Sequence, residues 1–337
     1  MLYNASVKTA KRRSSDDIAL QPETPSTDLA LATAPGSSYP PRMNPTTLSL
    51  LSLVLLAVVG CKTGNDAGSS AGLRRALLLH ASFDKGLDAD FAVGDPKLYT
   101  APTGNRAQAR PGLPDSNLVV HAKGEGRHGD ALQFTTKMRP TVFFQGEKNL
   151  GYTTNAWHGA VSLWLRLDPD KDLKPGYCDP LQFVAQGWDE GNMFIEFSKD
   201  HTPRHFRYAI LPVKKSWNPT NRGWEEIPDK DRPMVPVYKP PFTHDGWTHV
   251  VFCFGNINSG KNNGWGRLYL NGQDQGAFAS WLIPFNWDES KSALTLGLSY
   301  IGWIDDVAVF NRPLTADEVR TLHKLEVGVR SLSAAPL

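Results

Sequence analysis

The stretch DGWTHVVFCF (Asp245–Phe254), followed by GRLYLNGQ (Gly266–Gln273), decides how this chain is read. His249–Phe254 is apolar almost without interruption, the pattern of a strand set deep in a sandwich of sheets. Arg267–Leu270 is a second strand, and Asn271-Gly272 directly after it is a strong hairpin-turn signal. Working outward, Val161–Leu167 alternates strictly. Val161, Leu163, Leu165 and Leu167 share one face, and Ser162, Trp164 and Arg166 share the other. Met193–Phe197 and Phe206–Ile210 repeat this period, and Leu294–Leu298 and Trp303–Phe310 complete the strands. One helix stands out. Thr315-Ala-Asp-Glu318 reads as a capping box, and Val319, Leu322 and Leu325 follow at spacings of three. Many strands with turn signals and one late helix predict an all-β sandwich.

Composition agrees. The chain holds 10 Trp, 29 Gly and 25 Pro in 337 residues, which suits strands joined by long loops. A net charge of +2 without a basic stripe argues against nucleic acid as a partner. The 3 cysteines show no zinc-ligand spacing. Cys178 and Cys253 form either a disulfide or two buried thiols. The disulfide would close a loop of about 75 residues and contribute about 4 kcal/mol in the chain-entropy model.

Three strings occur in order: DGWTHVVF (245–252), GRLYLNGQ (266–273) and GWIDDVAVFNRPLTADEV (302–319). Upstream stand HASFD (80–84) and RHGDALQF (127–134). Together they resemble the laminin-G-like jelly roll of the concanavalin A-like lectin/glucanase superfamily. The resemblance implies an all-β jelly-roll sandwich with a short C-terminal helix over residues 77–325, followed by a polar tail, 326–337. It places Trp247 between the sheets. It also implies a structural or ligand-bridging Ca²⁺, for which Asp84 and Asp305 are the better oxygen donors. Ordinary turn capping by these aspartates is the alternative. The fold hosts lectins, glycosidases and adhesion modules alike, so function has to come from the site.

The insertion Pro212–Pro241 is the leading recognition candidate, because loops of that length are uncommon unless they have a role. Trp217, Trp224 and Tyr238 would stack on the apolar faces of sugar rings, and Asn221 and Arg222 would hydrogen-bond to their rims. A second aromatic cluster is Trp281, Phe285 and Trp287, with Asn286 and Asp288. The competing role for each of these rings is to pin a Pro-rich loop to the sandwich. The one-strand Glu-x-Asp-x-x-Glu string of the superfamily's glucanases is absent. Asp189, Glu190 and Glu196 are the closest approach to a hydrolytic set. Glu225-Glu226 reads as a solvated pair, and no Gly-x-Ser-x-Gly elbow occurs.

The N-terminal part carries a separate signal. MNPTTLSLLSLVLLAVVGC (Met43–Cys61) has an apolar run of signal-peptide length ending at Gly60-Cys61. It resembles a bacterial lipoprotein signal, cut after Gly60 with lipid on Cys61, although Met43–Thr47 carries no Lys or Arg. Residues 1–42 then read as a disordered extension, or as lying upstream of a true start at Met43. Residues 43–60 read as the signal peptide and 61–76 as lipidated Cys plus flexible tether. The expectation is a non-catalytic, lectin-like lipoprotein of the bacterial cell envelope that binds polysaccharide. Its lipid on Cys61 would sit in the bilayer, with outer membrane preferred because Lys62 is not Asp, and other envelope proteins are further candidate partners. The alternatives are a glycan-active hydrolase and a protein-adhesion module.

Overall fold

The computed structural model describes residues 64–102, 105–138 and 140–334. The expected signal peptide, the extension before it and the expected lipidation site at Cys61 lie outside the described residues. Strands form two antiparallel sheets. In one, the order is Gln273–Trp281, Gly264–Leu270, Thr248–Ile257, Trp157–Arg166, Gly302–Phe310, Leu77–Ala81 and Phe91–Ala92. Ala131–Phe134 also pairs with Gly302–Phe310, and Val119–Ala122 pairs with Ala131–Phe134. In the other sheet, Met234–Val237 is followed by Phe206–Leu211, Asn192–Phe197, Cys178–Val184, Ala293–Leu298, Thr141–Gln145, Leu98–Ala101 and Arg110–Pro111.

Alternation sets what fills the space between the sheets. Val161, Leu163 and Leu165 of the first sheet meet Leu181, Phe183, Ile195 and Tyr208 of the second in one core. The aromatic at its centre is Trp157 rather than Trp247. Trp157 is fully buried, with its ring 4.7 Å from Phe254 and 6.3 Å from Phe183. Trp247 is half-buried outside this core, under the Arg166 guanidinium at 5.2 Å. Phe285 and Trp287 of the second aromatic cluster also belong to the core, against Trp157 and Tyr152. They pin their loop, as the Trp287 Nε1–H bond to Gly191 O at 2.8 Å shows.

The disulfide is corrected: Cys178 and Cys253 are free, buried thiols. Cys178 lies in the second sheet and belongs to the core between the sheets. Cys253 lies in the first sheet and points to its outer face, where Sγ accepts from Leu314 N at 3.4 Å. Sheets stack about 10 Å apart, whereas a disulfide holds its two Cβ atoms about 3.8 Å apart.

The capping box forms as read. Glu318 N donates to Thr315 Oγ1, and Thr315 N donates to Glu318 Oε2 at 2.9 Å. The helix Ala316–Lys324 seats Val319 and Leu322 on Val251, Cys253 and Phe310, on the outer face of the first sheet. Two further helices differ from expectation. Residues 64–76, read as a tether, form the helix Gly64–Ala76, and the tail contains the helix Arg330–Ala334. Leu73, Val329 and Leu332 are buried together with the same apolar cluster, which explains why both segments are ordered.

Candidate binding site

The strand Asn192–Phe197 is buried along its whole length, although its sequence alternates. Met193, Ile195 and Phe197 face the core. Asn192, Phe194 and Glu196 face outward, where the insertion covers them. The insertion is not structureless. It contains a helical turn, Lys214–Trp217, two tight turns, Trp224–Glu226 and Asp229–Asp231, and the strand Met234–Val237, which pairs with Phe206–Leu211. Trp217 and Trp224 pack against Phe194, Ala209, Leu211 and Met234. Between the insertion and the outer face of the sheet lies a cavity of about 420 Å³, within the range of small-ligand pockets.

Four of the five residues expected to bind sugar line this cavity: Trp217, Asn221, Arg222 and Trp224. Tyr238 does not line it. Its hydroxyl donates to Asp229 Oδ2 at 2.8 Å, and its ring packs on His205. Asn221 takes φ 53°, a left-handed conformation that asparagine tolerates. The Asn218 side chain closes this turn by donating to Arg222 O at 2.8 Å and accepting from Arg222 N at 2.9 Å. Trp217 and Trp224 meet at 77° with centroids 5.7 Å apart, so they form a corner rather than a flat track. Of the rings lining the cavity, the most exposed is Trp188, 49% accessible and stacked on Phe194 at 5.6 Å. Sequence reasoning missed it as a site residue because it stands in a turn before the strand.

Most of the floor was also missed. It carries Asp179, Gln182 and Asn192 beside Glu196, which the sequence offered only as part of a hydrolytic set. Glu196 pairs in register with Arg207 on the next strand, and Arg207 Nη2 lies 2.5 Å from Glu196 Oε1. Arg207 also holds Glu225 at 3.1 Å, and Tyr177 donates to the same carboxylate at 3.0 Å. Arg232 completes the set, 3.4 Å from Glu225 and 4.6 Å over the Trp224 ring. Glu225, expected in solvent, is therefore structural. Burial pushes the Glu196 carboxyl up to about 7, against the pull of Arg207. Burial, reinforced by Glu196, raises Asp179 well above the ordinary carboxylate range.

The hydrolytic trio divides. Asp189 and Glu196 line the cavity, while Glu190 is tied to Asn286 Nδ2 at 2.8 Å and faces away. The nearer neighbour of Glu196 is Asp179, on the adjacent strand Cys178–Val184.

The calcium donors sit elsewhere. Asp84 Oδ1 accepts from Asp130 N at 2.8 Å, and its other oxygen meets the Arg330 guanidinium. Asp305 Oδ2 accepts from His128 N at 2.9 Å, and burial pushes its carboxyl up to about 8. Both brace the turn around Gly129. Ca²⁺ takes six to eight oxygens, and among the described residues no group of three or more His, Cys, Asp or Glu is placed to hold a metal ion. This donor set does not fit a calcium site.

Trp164 is buried on the outer face of the first sheet. It stacks on His323 and His249, with Arg127 above it at 5.0 Å.

No curated protein matches the chain. Solved structures with a similar fold include the receptor-binding domain of botulinum neurotoxin mosaic serotype C/D (TM-score 0.50, 11% identity, 75% of this chain and 51% of that one). The botulinum neurotoxin serotype D ligand-binding domain in complex with N-acetylneuraminic acid gives a TM-score of 0.49 at 11% identity, over 76% of this chain and 52% of that one. This chain thus spans about half the length of the two toxin chains. Domain 4 of AbnA, an extracellular arabinanase from Geobacillus stearothermophilus, in complex with arabinotriose, gives 0.44 at 18% identity, over 74% of this chain and all of that one. The family model of the concanavalin A-like lectin/glucanases superfamily, Laminin_G_3, matches residues 152–320, and the chain belongs to that family.

Proposed function

We propose that this protein binds carbohydrate in the cavity between the insertion and the outer face of the second sheet. The observation that carries the reading is the lining. Aromatic rings of Trp188, Trp217, Trp224 and Phe194 stand around a floor of buried polar side chains. Sugars present apolar C–H faces and hydroxyl rims, and such a site answers both. The corner made by Trp217 and Trp224 suits the end of a glycan chain better than its middle. The role is non-catalytic recognition. The lipoprotein-like signal ending at Cys61 adds anchorage at a bacterial cell envelope to this proposal, resting on sequence alone.

One observation favours a second reading, a glycan-cleaving enzyme. Asp179 and Glu196 are neighbouring carboxyl groups on the cavity floor whose protons are both held unusually tightly, and paired carboxyl groups cleave glycosidic bonds.

A polysaccharide pull-down separates the cases. The wild-type chain should be retained, and a still-folded Trp217→Ala/Trp224→Ala variant should wash through. Retention of both would move binding off this cavity. New reducing ends appearing during incubation, and vanishing in Glu196→Gln, would establish the enzyme instead.

A further inference from the structure

The strand Asn192–Phe197 carries two separate polar stations on the cavity floor. Asn192 and Glu196 share its outward face four residues apart, about 13 Å along an extended strand. Asn192 Nδ2 donates to Trp188 O at 2.7 Å, which fixes the amide, and its Oδ1 has no hydrogen-bond donor. Glu196 Oε1 lies beside Arg207 without an aligned N–H, and Asp179 Oδ1 also lacks a donor. Asn192, Glu196 and Asp179 are exposed by only 1%, 4% and 5%. A β-bulge brings Asp179 to Glu196. Ile195 pairs with Leu181 and Phe197 with Cys178, so Asp179 and Pro180 together oppose Glu196. Cys178 and Leu181 therefore both face the core, three residues apart, and Asp179 turns into the cavity between them. Between the two stations lies Phe194, with Trp188 stacked on it at 5.6 Å and Trp224 edge-on at 6.3 Å. Trp224 Nε1 is an unanswered donor.

We infer that the cavity reads two successive sugar units laid along Asn192–Phe197, one hydrogen-bonded to Asn192 and the next to Asp179 and Glu196. The inference rests on the carbohydrate reading above. A ligand that displaces water from such acceptors has to donate in its place. One sugar ring, about 5 Å across by its single-bond geometry, cannot reach both stations. Two linked rings, with a hydrogen bond at either end, fill the span, and their apolar faces meet the aromatic middle. Hydroxyls suit both ends because they donate as well as accept. Burial, reinforced by Glu196, keeps the proton on Asp179, so the carboxyl pair offers a hydroxyl a donor as well as acceptors.

The test titrates the full chain by calorimetry with gluco-, manno-, xylo- and galacto-oligosaccharides of one to four units. For a series that binds, affinity should rise about tenfold or more from one unit to two, and change by less than about threefold beyond two. Asn192→Leu and Asp179→Leu each remove one station, and melting curves check that both still fold. In either variant the gain from one unit to two should fall below about threefold, whereas a purely structural loss would weaken all lengths alike and keep the gain. A single unit binding wild type as tightly as two overturns the inference while leaving sugar binding intact, and needs no variant. Gains that continue through three and four units overturn the two-unit span. A gain kept by either folded variant overturns the placement of a unit at that residue. Binding to no sugar at all overturns the carbohydrate reading and this inference with it.

Discussion

Glu196 and Arg207 face each other across two paired strands with 2.5 Å between Oε1 and Nη2, both on the outer side of the sheet and both buried. The insertion is what makes this pair interior. By covering the outer face, it turns an ordinary cross-strand pair into a desolvated one, whose energetics then dominate this end of the fold.

Arg207→Met should therefore lower the unfolding free energy by about 3–5 kcal/mol, because it leaves Glu196 and Glu225 without their shared cation. Chemical denaturation measures it. A loss below about 1 kcal/mol would mean that the carboxyl groups reach water or each other more easily than the geometry allows.

Trp188 separates binding from stability. Half of it is exposed, and its contact is a stack on Phe194. Trp188→Ala should weaken a retained glycan roughly tenfold, from the loss of about 1 kcal/mol of aromatic contact plus buried area. It should shift the melting temperature by no more than a few degrees. Unchanged affinity, measured by calorimetry, would place the ligand away from this ring.

His249 predicts an acid-sensitive term. Burial first, then His323, His128 and Arg127, pulls its pKa down to about 3, against about 6.5 in the unfolded chain. Below pH 6.5 the unfolded state takes up a proton that the folded state refuses, so stability falls as pH drops from 6.5 towards 3. The slope from this group is about 1.4 kcal/mol per pH unit at most. His249→Gln keeps a polar partner for Ser162, which His249 Nε2 meets at 2.9 Å. Between pH 6 and 4 the gap between wild type and variant should change by this slope. Parallel stability curves would remove His249 from the pH dependence.

The cysteines give a chemical test. Cys178 and Cys253 are buried, and burial pushes the Cys253 thiol up to about 12 and also raises Cys178. Neither should react with maleimide in the native protein, both should react after denaturation, and reductant should leave the melting temperature unchanged. Peptide mapping that finds a 178–253 crosslink would contradict the packing of Cys253 under Leu314.

The sequence made the sandwich legible where one face met the core and the other met something different. Val161–Leu167 and the Thr315–Glu318 capping box are such places, because period and cap chemistry are local. The cavity was legible only from its roof. Trp217, Trp224, Asn221 and Arg222 stand in one conspicuous insertion. Most of the floor was hidden because outward polar residues on a strand, such as Asn192 and Arg207, look like a solvated face until another segment covers them. Asp179 is harder still: it precedes Pro180 in a strand with no clean alternation, and only pairing with Asn192–Phe197 brings it beside Glu196. Trp247 and Trp157 show the same limit. Trp157 opens one apolar strand and Trp247 directly precedes another, and the register of the strand decides which ring points inward.

The helices Gly64–Ala76 and Arg330–Ala334 share one apolar cluster on the outer side of the first sheet, whereas the cavity opens on the outer side of the second. The domain thus has a handle and a working face on opposite sides of its sandwich. A chain leading into Gly64 enters at the handle, so the mouth framed by Trp188 lies on the side of the sandwich away from that entry.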